Sequence, residues 1–402
     1  MLNSLINKHP RTGQISIHMD YYQLEELWSE EQLLIRNTIR EFIKKEIRTD
    51  IDFYAQNHQE IPHLMKKLGD IGALGPFIPQ EYGGGGLDQM AYGIIMQELE
   101  FGDSAIRSAA SVQSSLVMFP IYQYGSEEQK RKYLPLLAKG DLIGAFGLTE
   151  PNHGSDPAAM ETRLKKDAEG FRLSGSKMWI TNAPICDIAV VWARDEENKI
   201  RGVIVERGMD GFSTPETLNK WSLRASKTGE LVFDQVYLTK EQVLPEVQSM
   251  KGPLSCLNSA RYGIAWGALG AAVDCYQTAL QYAKERQQFG KPIASFQLQQ
   301  KKLAEMITEI TKAQLLVWRL AMLKNENRAT PAQISMAKRN NVHMALQVAR
   351  EARQVLGAMG IVGDYSIMRH MMNLESVITY EGTHDIHLLI TGQDITGFNA
   401  FN

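Results

Sequence analysis

The last third of the chain constrains the fold most. Three segments, 262–286, 296–324 and 331–357, each carry apolar residues at helical period for about 25 residues or more, punctuated by Gly290, Pro292 and Pro331. A helix of that length runs about 37 Å. Three of them joined by short breaks can bury their apolar stripes only against one another, which predicts an up-down helical bundle.

The rest of the chain divides in two. From 24 to 139 Trp28, Leu33, Leu34, Ile39 and Phe42 recur at steps of three and four, and Ser29 before Glu30 and Glu31 is a helix start. The run Pro79-Gln80-Glu81-Tyr82-Gly83-Gly84-Gly85-Gly86 reads as a loop, because no strand feeds it as a phosphate cradle requires. Between 144 and 244 the pattern turns to strands: 171–180 alternates, 188–193 is a compact apolar run, and 203–205 and 231–233 add two more. Strands without intervening helices predict a small antiparallel barrel or sandwich. The expected fold is mainly α with a central β domain: a flexible leader at 1–23, an all-α domain at 24–143, a β-barrel domain at 144–246 and a helical bundle at 247–402.

Composition narrows the partners. Lys+Arg 43 against Asp+Glu 46 leaves a net charge of −3, so nothing points to nucleic acid. The three cysteines, Cys186, Cys256 and Cys275, have neither metal nor disulfide spacing and predict a reducing compartment. The longest nearly apolar run, 262–273, falls short of the roughly 20 residues of a membrane span. Residues 1–18 lack the apolar region of a secretory signal, which favours a bacterial cytoplasm over a mitochondrial matrix reached after processing.

Several segments carry side chains suited to chemistry. Thr379-Tyr380-Glu381-Gly382-Thr383-His384-Asp385 sets one acid beside a glycine, as a ligand-facing base or as a solvated loop acid, and Thr383 is placed to cap a following helix. Far earlier, Phe146-Gly147-Leu148-Thr149-Glu150-Pro151-Asn152-His153-Gly154-Ser155-Asp156 and Trp179-Ile180-Thr181-Asn182 group hydroxyls around an indole. They suit a flat heterocycle, although composition alone favours a barrel-core tryptophan among strand-forming threonines. Arg286, at a helix end that Gly290 would stop, is either a pyrophosphate fork or a surface arginine. If 98–111 is one helix, Glu100, Asp103, Arg107 and Ser111 share a face. Asp103 and Arg107 are then either a surface ion pair worth about 0.3–0.5 kcal/mol or part of a grip on an anion.

Together these segments resemble the acyl-CoA dehydrogenase flavoenzymes along nearly the whole chain, and among them the glutaryl-CoA dehydrogenases. The resemblance implies a helical domain, a β-barrel and a four-helix bundle, with FAD as cofactor. It assigns Glu381 as the base that removes the α-proton of an acyl-CoA thioester, with Tyr380 and Gly382 beside the substrate. It sets Phe146, Leu148, Thr149, Ser155, Trp179, Ile180 and Thr181 against the isoalloxazine, together with Thr383, Asp385 and Phe401. Arg286, Gln287, Phe289, Gln297, Gln354 and Gly357 would hold the pyrophosphate and adenosine from a neighbouring subunit of a homotetramer. Ala358 and Met359 depart from the usual Gly-Gly or Gly-Asn at that place. Arg107, Ser108 and Ser111 would bind a distal carboxylate with Glu100 nearby, and Leu254, Asn258 and Arg261 would border the CoA arm beside Ser155. Ile106 stands where the animal enzymes carry tyrosine. The implied reaction is oxidative decarboxylation of glutaryl-CoA to crotonyl-CoA and CO2, with electrons passed to an electron-transferring flavoprotein. The alternatives are a non-decarboxylating glutaryl-CoA dehydrogenase, another short-chain acyl-CoA dehydrogenase, an acyl-CoA oxidase, and a non-catalytic flavin-binding scaffold.

Overall fold

The computed structural model describes residues 20–401. Most of the expected leader therefore lies outside the described residues; Asp20 opens the described part, and its carboxylate accepts from the Leu24 and Glu25 amides at 2.9 and 2.8 Å.

Seven helices come first: α1 Glu30–Phe42, α2 Ile51–Gln56, α3 Leu64–Asp70, α4 Gln89–Gly102, α5 Ser104–Ser111, α6 Phe119–Tyr124 and α7 Glu127–Ala138. Ser29 opens α1 with a reciprocal cap to Gln32, which satisfies two otherwise orphaned amides. The glycine run after Pro79 is a packed turn, as expected: a Cβ on Gly84 would sit 2.2 Å from the Ile78 carbonyl oxygen.

The expected continuous helix over 98–111 is broken. Asp103 is extended, and its side chain accepts from the Ala105 amide at 2.7 Å, capping α5. Glu100 therefore lies on α4 and Arg107 and Ser111 on α5, yet Glu100 still pairs with Arg107 across the break. Asp103 pairs with Arg369 and with Asn373 at 2.9 Å, so the expected Asp103–Arg107 pair is not formed.

The middle of the chain forms one curled seven-stranded sheet: β1 Gly144–Gly147, β2 Arg163–Asp167, β3 Gly170–Thr181, β4 Ile188–Arg194, β5 Ile200–Glu206, β6 Phe212–Ser213 and β7 Thr228–Leu238. Its order is β1-β4-β2-β3-β7-β6, with β5 paired to β4. The sheet is mixed where an antiparallel one was expected, since β1 runs parallel to β4 from Gly144↔Ile188 to Gly147↔Val191. All four β1 residues are buried, the setting in which parallel pairs occur. Gln113 anchors the strand's start by accepting from the Gly144 amide at 2.8 Å. Two register shifts interrupt β3 against β7, the second between Lys177 and Ile180.

The last third contains α8 Lys251–Glu285, a two-strand hairpin of β8 Gln287–Gln288 and β9 Lys291–Pro292, α9 Gln297–Asn325, α10 Pro331–Val355, α11 Ile367–Val377 and α12 His384–Thr396. α8 packs against α9, α10 and, from the first domain, α4. One apolar core accordingly runs through both helical parts, joining Ile94, Leu99 and Ile106 to Ile264, Leu269, Ile310 and Leu346. No described helix is long and apolar enough to cross a membrane.

The α4–α8 contact is backbone to backbone. A Cβ on Gly270 would lie 1.9 Å from the Gln97 carbonyl oxygen and 2.6 Å from the Phe101 amide nitrogen. Gly270→Ala therefore lowers stability by about 1–3 kcal/mol through overpacking. Gly392→Ala, on α12 with nothing within 4 Å of the new methyl, is neutral or raises stability by up to about 1 kcal/mol. Thermal melts of the two variants in parallel check both, and equal melting temperatures would contradict the packing argument.

Candidate active site

The loop from Thr379 to Thr383 joins α11 to α12 and carries Glu381 at φ 50° followed by Gly382 at φ 94°. Two successive left-handed residues turn the chain back over α8 and α10. The Glu381 carbonyl accepts from Arg261 Nε on α8 at 2.8 Å, and the Tyr380 and Gly382 carbonyls accept from Lys338 Nζ on α10 at 3.0 and 2.8 Å. Burial raises the proton affinity of the Glu381 carboxyl, opposed by the positive charges of Arg107, Lys338 and Arg261. Thr383 caps α12 by accepting from the Ile386 amide at 3.3 Å, as its position predicted.

Arg107 approaches from the other side. It is fully buried, donates from Nε to Glu100 Oε2 at 2.5 Å and contacts the Tyr380 hydroxyl through Nη2. The second Glu100 oxygen accepts from Ser104 at 2.8 Å. This pair lies directly on α8: a Cβ on Gly267 would sit 2.1 Å from Glu100 Oε2 and 3.0 Å from Arg107 Nε. Ser108 and Ser111 are buried on α5, with Ser111 one helical turn beyond Arg107.

Buried polar atoms left without a partner point to what is missing. Among the described residues, the buried Arg, Lys, Asp or Glu side-chain atoms without a hydrogen-bond partner are Arg107 Nη1 and Glu381 Oε2, and Ser111 Oγ is likewise unpartnered. An unmade hydrogen bond at such a depth costs about 1–3 kcal/mol, more when the group is charged. The chain thus offers an open guanidinium donor and an open carboxylate oxygen, with Arg107 bonded to the hydroxyl of Tyr380, the residue before Glu381.

The indole of Trp179 is 58% exposed and its backbone sits at φ 62° in the β3 bulge, so it is not a core residue. The Met178 amide donates to the Thr149 carbonyl at 2.9 Å, which brings the two hydroxyl-bearing segments side by side. Thr149 and Thr181 are half-buried there and Ser155 is exposed. Phe146, Leu148 and Ile180 are packed into apolar cores, so what they can offer a ligand is backbone. Leu254 is exposed and Asn258 half-buried near the start of α8, with Asn258 Oδ1 3.5 Å from Arg261 Nη1.

The remaining expected residues lie elsewhere. Arg286 follows Arg261 by 25 positions, about 37 Å along α8, and cannot reach the same site within one chain. It ends α8 in an extended conformation. Gly290 does not stop the helix but occupies the two-residue hairpin turn after Phe289, both at positive φ. Phe289 is 92% exposed at that tip, and Gln287 in the hairpin, Gln297 at the start of α9, Gln354 at the end of α10 and Gly357 just beyond it are exposed too. Asp385 is exposed on the first turn of α12, and Phe401 is half exposed near the chain's end.

Sequence reasoning missed Lys338 and Gly267. Lys338 had a signal, because it falls four residues from both Ile334 and Val342 on the apolar face of α10, where a charge needs a reason. Gly267 had none, since its partners come from another domain.

The acyl-CoA dehydrogenase N-terminal, middle and C-terminal domain families match residues 29–141, 145–236 and 250–396. A glutaryl-CoA dehydrogenase from Mycobacterium smegmatis, solved in complex with FADH2, superposes with a TM-score of 0.93 at 45% identity, covering 95% of this chain and 98% of that one. Butyryl-CoA dehydrogenase from Megasphaera elsdenii gives 0.88 at 33% identity, with 92% and 98% covered. The human mitochondrial short-chain specific acyl-CoA dehydrogenase is 35% identical over 374 residues, 92% of this chain and 90% of the relative. The chain belongs to the acyl-CoA dehydrogenase family.

The site has a pH signature of its own. His387, fully buried on α12, is pushed down to about 2 by burial and by the charges of Lys338 and Arg261. Its folded value lies below the unfolded one near 6.5, so its contribution is present above pH 6.5 and is lost as the pH falls. The loss approaches about 1.4 kcal/mol per pH unit, or about 1–2 kcal/mol by pH 5.5. Denaturant unfolding at pH 7.5 and 5.5 checks it: His387→Leu loses less stability on acidification than wild type, and an unchanged difference would contradict the assignment.

Proposed function

We propose that this chain is an FAD-dependent glutaryl-CoA dehydrogenase that oxidises and decarboxylates its substrate to crotonyl-CoA. The observation that carries the reading is the pair of orphaned charged atoms, Arg107 Nη1 and Glu381 Oε2, the one on the arginine that holds the Tyr380 hydroxyl and the other on the next residue in the chain. Three cations, Arg107, Arg261 and Lys338, face two carboxylates, Glu100 and Glu381, so a substrate with one further carboxylate balances the site. An uncharged acyl chain would leave Arg107 Nη1 and Ser111 Oγ unmet. A charge-assisted bond there is worth about 1.5–3 kcal/mol, enough to select a dicarboxylyl thioester.

The residues fit a flavin. Trp179 is held out of the core by a strained bulge and offers a flat face, beside Thr149 and Thr181. The capped amino end of α12 suits a negatively charged ligand. On this reading Phe146, Leu148, Ser155, Ile180, Thr383, Asp385 and Phe401 border the ring system. Bound FAD supplies the acceptor for the hydride that leaves the substrate's β-carbon.

Glu381 takes the α-proton. Burial raises its proton affinity toward the weakly acidic carbon it must deprotonate, while the surrounding cations keep the carboxylate form accessible. The glutaconyl-CoA so formed keeps its distal carboxylate at Arg107, Ser108 and Ser111. Glu100 shares the guanidinium, which loosens its hold as carbon dioxide departs and the electron pair passes into the thioester-conjugated dienolate. The proton held by Glu381 then returns to the terminal carbon and yields crotonyl-CoA. Leu254, Asn258, Arg261 and Gly382 line the path of the CoA arm.

The family resemblance supports an electron-transferring flavoprotein as acceptor. A homotetramer would bring Arg286, Gln287, Phe289, Gln297, Gln354 and Gly357 of one subunit to the cofactor of the next, which the separation along α8 requires if they serve it at all.

Glu381→Gln leaves FAD bound and abolishes its bleaching by glutaryl-CoA; full-rate bleaching would remove Glu381 from the mechanism. Arg107→Met lowers kcat/KM on glutaryl-CoA about 10- to 200-fold and leaves butyryl-CoA within a few-fold, whereas equal losses would mean Arg107 does not read the second carboxylate. Anaerobic product analysis with glutaryl-CoA completes the test. Crotonyl-CoA with carbon dioxide supports the reading, glutaconyl-CoA alone rejects decarboxylation, and turnover of butyryl-CoA only rejects the substrate.

A further inference from the structure

Lys338 is the one charged residue on the buried face of α10 whose partners are the main chain of the Glu381 loop. Its ammonium is fully buried and uses two of its three donors on the carbonyls of Tyr380 and Gly382, the residues on either side of Glu381. Arg261 takes the carbonyl of Glu381 itself. Three successive carbonyls are therefore held by two cations from two helices, across the two left-handed residues of the loop. A non-glycine residue in that conformation persists only when its surroundings over-determine it.

We propose that Lys338 is the positioning residue of the base: its ammonium pins the backbone on both sides of Glu381 and sets a positive charge behind the carboxylate, so that the group is aimed and kept ready to accept a proton. The inference rests on the reading of Glu381 as the base. If the residue served only to fill α10's core face, methionine would pack there as well and without the cost of desolvating an ammonium. Burial brings the Lys338 ammonium down to about 7, with the Glu381 charge opposing that fall. The other groups acting on it are Arg261 from α8 and Arg107 from α5, with His384 and His387 from α12 beside it; Arg339 and His343 of its own helix and the exposed Asp385 act on His384. Glu381 is thus its carboxylate partner within the site, and loss of the cation raises the proton affinity of Glu381 further.

The test isolates proton removal from electron transfer. The 3-thia analogue of glutaryl-CoA has sulfur at the β-position and no hydrogen there to transfer. Exchange of its α-hydrogens in deuterium oxide, followed by mass spectrometry from about pH 5.5 to 9 on the FAD-loaded enzyme, reads the base alone. Lys338→Met is expected to move the midpoint of the exchange profile upward by about one pH unit or more and to slow exchange near neutrality about 10-fold or more. Lys338→Arg, which keeps the charge, returns the midpoint toward wild type. An unchanged midpoint in Lys338→Met overturns the proposal, even if its melting temperature or exchange plateau falls; if that variant does not fold, Lys338→Gln carries the same comparison. Wild-type exchange of methylthioacetyl-CoA but not of the glutaryl analogue overturns the glutaryl reading alone, and the Lys338 comparison is then made on methylthioacetyl-CoA. Exchange of neither compound by wild type overturns Glu381 as the base and the role of Lys338 with it.

Discussion

The close approach of α4 and α8 is the constraint on which the site depends. Gly93 leaves room for the ring of Trp266, Gly263 for the Tyr92 hydroxyl, and Gly270 for the backbone of α4. With glycine at these contacts, Glu100 and Arg107 rest directly on Gly267, six residues and about 9 Å along α8 from Arg261. Arg261 in turn holds the Glu381 carbonyl. A helix pair spaced by ordinary side chains would stand about 8–10 Å apart and carry the anion donor away from the carboxylate loop.

Several buried charges elsewhere among the described residues are paired. Arg40 grips Glu98 through two bonds of 2.6 and 2.8 Å, Lys177 bonds Glu150 at 2.8 Å, and Arg369 joins Asp103 to Asp52. Asp274 accepts from Arg48, Ser366 and His370, and these bonds hold its carboxyl at about 2 against the opposing effect of burial. These clusters fasten elements together, and none of their buried carboxylate, guanidinium or ammonium atoms lacks a partner. Against that background the open atoms of Arg107 and Glu381 stand apart. Arg107 is already held by Glu100 and Tyr380 through its other nitrogens, and the Glu381 main chain is held by Arg261, so each open atom sits on a group whose position is fixed. Among the described residues, no other buried arginine, lysine, aspartate or glutamate side-chain atom lacks a hydrogen-bond partner.

Local pattern carried much of this into the sequence. The long helices follow from unbroken apolar periodicity between Gly290, Pro292 and Pro331, and the first helix from Ser29 with its reciprocal cap. The strands at 170–181, 188–194, 200–206 and 228–238 each contain an alternating or compact apolar run. What escaped were pairings between distant segments. The parallel register of β1 on β4 joins residues 44 positions apart and leaves no local mark. The break at Asp103 did have one, since Gly102 followed by Asp103 is a helix stop and a cap in succession, but helical spacing through 98–111 masked it. Trp179 was ambiguous for a physical reason: alternation predicts which face a strand residue takes only until a bulge resets the register, and the bulge lies at this residue.

α8 also relates the site to assembly. Its 35 residues span about 52 Å; Arg261 near one end touches the Glu381 loop, while Arg286 and the Phe289 hairpin stand at the other. A rigid rod of that length cannot bend its far end back, and Phe289, 92% exposed on a two-residue turn, has among the described residues one aromatic contact, the edge of Phe296. If the far end serves a cofactor, that cofactor belongs to another copy, and the helix length sets the spacing between the two sites. The glycines that seat α4 on α8 would then fix two things at once, the depth at which Arg107 meets a substrate and the angle at which α8 delivers its other end to a neighbour.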